Sequence, residues 1–83
     1  MILQAYSIYD SKAETYDLPR FFHNTPTFMR AISPVCNDES HQFCLHGEDF
    51  TAFHIGEFDQ LTGKFTPIEP VSVCRLHELK DNG

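Results

Sequence analysis

Cys36, His41, Cys44 and His46 bring four soft or borderline ligands into one short stretch, spaced C-x4-H-x2-C-x-H. Thiolate and imidazole are the donors that tetrahedral zinc takes, normally as close pairs from two separate knuckles. Cys74 and His77 could supply a second pair, but the run from 36 to 46 lacks the paired spacing. The sequence therefore points to buried thiols and surface imidazoles, with no metal and no cofactor. Three Cys do not close a disulfide framework, and free Cys packs most often as a small hydrophobe.

His46, Glu48 and Asp49 form a second titratable group, and acid–base chemistry wants such groups at one locus. Their setting reads instead as a capping loop, in which Glu48 or Asp49 accepts backbone N–H groups ahead of a strand. The chain contains no G-x-S-x-G, P-loop, G-x-G-x-x-G or H-E-x-x-H pattern. Without a nucleophile, a phosphate cradle or a metal dyad, we expect no enzyme.

Nucleic-acid binding calls for rings that stack on bases beside cations that follow phosphates. Tyr6, Tyr9, Lys12, Arg20, Phe21 and Arg30 are the candidates, with Phe22 nearby. Two considerations weigh against them. An 83-residue chain buries only about 60–65% of the surface its unfolded form exposes, so most rings must serve the core. Six basic against twelve acidic residues give a formal charge of −6, and a surface of that sign repels phosphate. Such a molecule suits an adaptor that pairs with itself or docks on a basic partner, such as a replication initiator or a host replication protein. Direct single-stranded-DNA binding is the second reading.

The elements that must position these groups follow from periodicity. Residues 2–9 alternate as a strand, and 10–22 read as a loop with an aromatic anchor. Thr25-Pro26 is a helix start, with Thr25 as cap. Phe28, Met29, Ile32 and Val35 share a helical face, and Pro34 predicts a helix over 26–33 with a kink or fresh turn over 34–38. Strands are expected at 50–58 and 64–69, joined by a turn in which Gly63 takes positive φ. The tail reads as a short helix capped by Ser72 or an irregular end. The expected architecture is a single domain, 1–83, of the α+β class, a small antiparallel sheet of about three strands packed on one kinked helix. Phe53 and Ile55 should be buried with Phe28 and Ile32. No apolar run is long enough to span a bilayer and no basic-then-apolar leader opens the chain, so a soluble, cytoplasmic protein is expected.

One set of residues resembles something more specific. His46-Gly47-Glu48-Asp49-Phe50, then Ile55-Gly56-Glu57-Phe58-Asp59 and Thr62-Gly63-Lys64, follow an opening Tyr6-Ser7-Ile8-Tyr9-Asp10-Ser11-Lys12-Ala13-Glu14. That order, over residues 5–70, resembles the small nonstructural protein of gokushoviruses, single-stranded-DNA phages of the microvirus family. The resemblance implies a non-virion protein made in the cytoplasm of the infected bacterium, described as DNA-binding or as assisting the switch to single-stranded genome synthesis. It also implies one amphipathic helix where Pro34 predicts a break, and it brings no active-site residues.

Overall fold

β1 (Ile2–Asp10) is an inner strand of a five-stranded antiparallel sheet in the computed structural model, which describes residues 1–80. One edge of β1 pairs with β2 (Thr15–Tyr16) and β3 (Arg20–Phe22). Its other edge pairs with β4 (Phe50–Asp59), and β5 (Lys64–Arg75) completes the order β2-β1-β4-β5. The three long strands stand where expected; the two short ones come from the stretch read as loop.

Asp17 explains why that stretch becomes sheet. Its N–H donates to the Ile8 carbonyl at 2.9 Å. Its Oδ1 accepts from the Ile8 N–H at 2.8 Å, and its carbonyl accepts from Ser7 Oγ at 2.8 Å. The residue thus carries the ladder past Pro19, which has no N–H to give.

β5 continues to Arg75, beyond the expected end near 69. Pro67 and Pro70 are tolerated because β5 is an edge strand with one unpaired side. The register breaks between His54↔Val71 and Gly56↔Pro67, leaving Ile55 at a bulge. Gly63 has φ +74°, and its N–H closes the β4–β5 turn on the Asp59 carbonyl at 2.7 Å, as the sequence predicted.

α1 runs unbroken from Thr25 to Cys36 through Pro34, so the expected stop at residue 33 is corrected. Pro34 is exposed and in the last turn, and the carbonyl that its missing N–H leaves over belongs to Arg30, itself exposed, so the penalty of a helix interior does not apply. Asn37 closes the end, its Nδ2 donating to the carbonyls of Ser33 at 2.9 Å and Leu79 at 3.1 Å. At the start the cap is Asn24, not Thr25: the Thr27 N–H donates to Asn24 Oδ1 at 2.9 Å. Thr25 Oγ1 instead shares a 2.8 Å hydrogen bond with Tyr6 OH.

Tyr6, Ile8, Phe28, Ile32, Cys36, Phe43, Phe50, Ala52 and Leu76 form the core. Tyr6 stacks on Phe28 at 4.3 Å between centroids and 3° between planes. Phe53 and Ile55 do not join Phe28 and Ile32 there; both are half-buried. The core takes the other parity of β4, Phe50 and Ala52, and a one-residue shift of parity moves a side chain to the opposite face.

α2 (Gln42–Leu45) and a 3-10 turn (Gly47–Asp49) line the bottom of this core. His41 caps α2, its Nδ1 accepting the Phe43 N–H at 3.0 Å. Gly47 is buried because a Cβ there would lie 3.0 Å from the His77 backbone. The tail forms a 3-10 turn (Leu76–Leu79) with Leu76 fully buried. Glu78, not Ser72, holds its start by accepting the Arg75 N–H at 2.7 Å.

Candidate interaction surface

Side chains alternate across a strand, so Leu3, Ala5, Ser7 and Tyr9 point away from the face of β1 that carries Tyr6 and Ile8. Register carries Tyr16, Phe21, Thr51, Phe53, Gly56, Phe58, Phe65, Pro67, Ser72 and Arg75 to that same side. The buried residues of α1 and α2 belong to the opposite side, with Tyr6, Ile8, Phe50 and Ala52. The sheet therefore has a helix-covered face and an aromatic face.

Two ring clusters build the aromatic face. Tyr9 and Tyr16 lie 4.8 Å apart between centroids, and Phe53 meets them edge-on at 6.3 and 5.6 Å. Phe21 and Phe58 lie 5.6 Å apart. Phe65 covers Gly56 so closely that a Cβ there would come within 2.6 Å of its ring and 2.7 Å of the Thr66 carbonyl oxygen. Small residues at Ala5 and Ser7 disappear beneath this layer, while Tyr16, Phe21 and Phe65 remain 47%, 43% and 40% exposed.

Charge divides between the two sides as well. Among the described residues with a paired register, no carboxylate falls on the aromatic face and Arg75 is its charged residue; Glu69 lies in the unpaired stretch of β5 between Pro67 and Val71. Glu57 and Asp59 lie opposite Gln4 and Ile2, on the helix-covered side. Asp38 and Glu39 follow α1, and Glu48 and Asp49 occupy the 3-10 turn. Asp38 is held below the usual carboxylate range, chiefly by the Ser40 hydroxyl that donates to it at 2.6 Å. Asp59 is lowered chiefly by the Leu61 N–H at 2.9 Å.

The residues singled out for nucleic acid are split by this arrangement. Tyr6 is 1% exposed and presents no ring face to a base, because its parity places it under α1. Tyr9 and Phe21 do reach the aromatic face, in different clusters. Arg20 lies opposite Tyr6 on the helix-covered side, its Nη1 2.8 Å from Asp17 Oδ2. Lys12 sits in the exposed β1–β2 turn and Arg30 on the outer side of α1. Tyr16, Phe53, Phe58, Phe65 and Arg75 complete the face and escaped the sequence reading. Parity across paired strands is the signal that finds them, and it is hidden by the bulge at Ile55 and by two strands that read as loop.

In the cysteine and histidine run, Cys36 and Cys44 are buried, His41 is half-buried and His46 is exposed. Cys36, Cys44 and Cys74 are free thiols. Burial, then the neighbouring Cys74 and Cys44, push Cys36 up to about 11; burial and then Glu78 raise Cys74. Among the described residues, no three His, Cys, Asp or Glu side chains converge to hold a metal ion. His46 and Asp49 line a cleft of about 330 Å³ with Asp10, Lys12, Gln42 and Phe50. The expected capping by Glu48 or Asp49 is corrected: the Asp49 carbonyl, rather than either carboxylate, accepts Ser11 N–H at 2.9 Å and Ser11 Oγ at 3.1 Å. No helix among the described residues is long and apolar enough to cross a membrane.

Residues 3–79 match the family described as Phage ORF5 protein. No curated protein and no solved structure matches the chain.

Proposed function

We propose that this chain, which belongs to the Phage ORF5 protein family, is a non-enzymatic accessory protein of a single-stranded-DNA phage of the gokushovirus kind. In this reading it assists replication or packaging of the viral genome in the host cytoplasm, through contacts with other proteins. The observation that carries it is the separation of carboxylates from rings. Asp38 and Glu39 follow α1 and Glu48 and Asp49 occupy the 3-10 turn, a set suited by charge to a basic partner such as a replication initiator or a host replication protein. The six cations belong to separate elements, Lys12 to the β1–β2 turn, Arg20 to β3, Arg30 to α1, Lys64 and Arg75 to the two ends of β5 and Lys80 to the tail, and Arg20 is paired with Asp17, which weighs against their following a phosphate backbone.

The test is capture from infected cells, followed by neutralisation. Replacing Asp38, Glu39 and Glu48 with Asn and Gln should weaken partner capture, and raised salt should weaken it further. Capture that is indifferent to both changes would remove the acidic surface from the reading.

A second reading, direct single-stranded-DNA binding, is favoured by the aromatic face itself, which places rings and Arg75 where no carboxylate stands in register. Stacking contributes about 1–3 kcal/mol per base. A labelled oligonucleotide that binds at micromolar or tighter affinity near 150 mM salt, and is weakened by Phe21→Ala and Arg75→Ala, would establish it.

A further inference from the structure

We infer that the aromatic face packs against the same face of a second copy of this chain, so that two sheets close into a sandwich with the helices outside. This rests on the reading that the protein works through protein contacts, and it names the partner of the face that the acidic surface leaves free.

Charge selects the partner. Two copies of a −6 molecule repel wherever their carboxylates meet, and an isologous interface sets the same patch against itself. Among the described residues, the aromatic face is the broad side on which the paired register places no carboxylate, so contact between its paired positions sets no acid against acid.

Size and shape agree. The molecule is a slab of 42 × 26 × 18 Å. Its broad side has room for the roughly 800 Å² per partner that a stable interface covers. Half-exposed rings on one side of a sheet are the surface that face-to-face sheets interdigitate. Edge-to-edge pairing through β5 is the competing geometry, and Pro67 and Pro70 oppose it by withholding two N–H groups from that strand.

The experiment is light scattering on the whole chain, with melting curves taken between about 1 and about 100 µM. The wild type should have twice the chain mass at the upper concentration, with a melting temperature that rises with concentration. Tyr16→Glu and Phe65→Glu, on opposite borders of the face, should each give a monomer with a cooperative melt. Leu45→Glu, at a site 61% exposed on α2, should remain a dimer. A monomeric wild type with a concentration-independent melting temperature overturns the inference, as does a dimer that survives both face charges. The acidic-surface capture is run on the same variants. A monomeric wild type that still captures its partner refutes this inference alone, while a dimeric wild type whose capture is indifferent to neutralising the acidic residues refutes only the partner reading.

Discussion

The two faces of the sheet use aromatic residues differently. On the helix-covered face each ring has a fixed partner: Tyr6 stacks on Phe28 and shares a hydrogen bond with Thr25, and Phe43 meets Phe50 at 4.8 Å. On the other face the rings touch mainly one another and keep an outer edge in water. A chain with one main helix can cover one side of a sheet, and the apolar residues left over on the other side lie where stability alone does not require them. The first face holds the fold together; the second is surface available for contact.

The sharpest way to break this comparison is to cut one ring from each side. Phe28→Ala should cost about 3–5 kcal/mol, enough to unfold a marginal domain. Phe53→Ala, at a half-buried site, should cost about 1–2 kcal/mol. Equal losses in chemical denaturation would mean that the aromatic face belongs to the core after all.

How far the sequence foretold these faces depended on what kept the local signals in phase. The alternation in 2–9, the Thr25-Pro26 start and Gly63 were read directly, because each depends on a local conformational preference. The sequence alone places Phe53 in the core because β4 is apolar at both parities, Phe50 and Ala52 against Phe53 and Ile55. Such a strand does not declare which side is covered. β2 and β3 are illegible because they are only two and three residues long in a stretch polar enough to read as loop, paired to β1 through its backbone and held between them by the bonds of Asp17. Pro34 predicts a break that the helix does not make, since its cost depends on whether the spared carbonyl is buried, and that is a tertiary property.

The thiols offer a pH test of the covered face. Cys36 is fully buried and raised from 9.0 to about 11, so folding favours its neutral form. Its contribution is complete below pH 9.0 and is lost as pH climbs towards about 11, on the order of 2–3 kcal/mol at the upper end. Cys36→Ala should flatten that part of the stability profile relative to wild type. A parallel loss in both proteins would assign the alkaline instability to other groups.

Pro34→Ala sharpens the account of the helix layer. Restoring an N–H in an exposed last turn recovers part of the roughly 3 kcal/mol interior penalty, less about 0.4–1 kcal/mol for a looser unfolded chain. In an exposed last turn that part is small, and the net expectation is a gain of no more than about 1 kcal/mol, read as a higher denaturation midpoint with unchanged slope. A loss would show that the turn around Pro34 is used by the fold rather than tolerated by it.

An expected effect of similar size bears on how the aromatic face is presented. Asp17 stands between β2 and β3 and ties both to β1, so Tyr16 and Phe21 reach the face through bonds made by one exposed carboxylate and its backbone. Asp17→Ala removes the acceptor from the Ile8 N–H and the partner of Arg20. Solvent screens much of what is lost at so exposed a site, and the cost to global stability should be about 1 kcal/mol. The local effect should be larger in kind: the Ile8 amide should exchange faster while the amides of Ala52 and Phe28 keep their protection. If Ile8 stays protected, the backbone bonds of Asp17 suffice to hold the two short strands. The aromatic face then owes its presentation to ring packing among Tyr9, Tyr16 and Phe53 rather than to the carboxylate beside them.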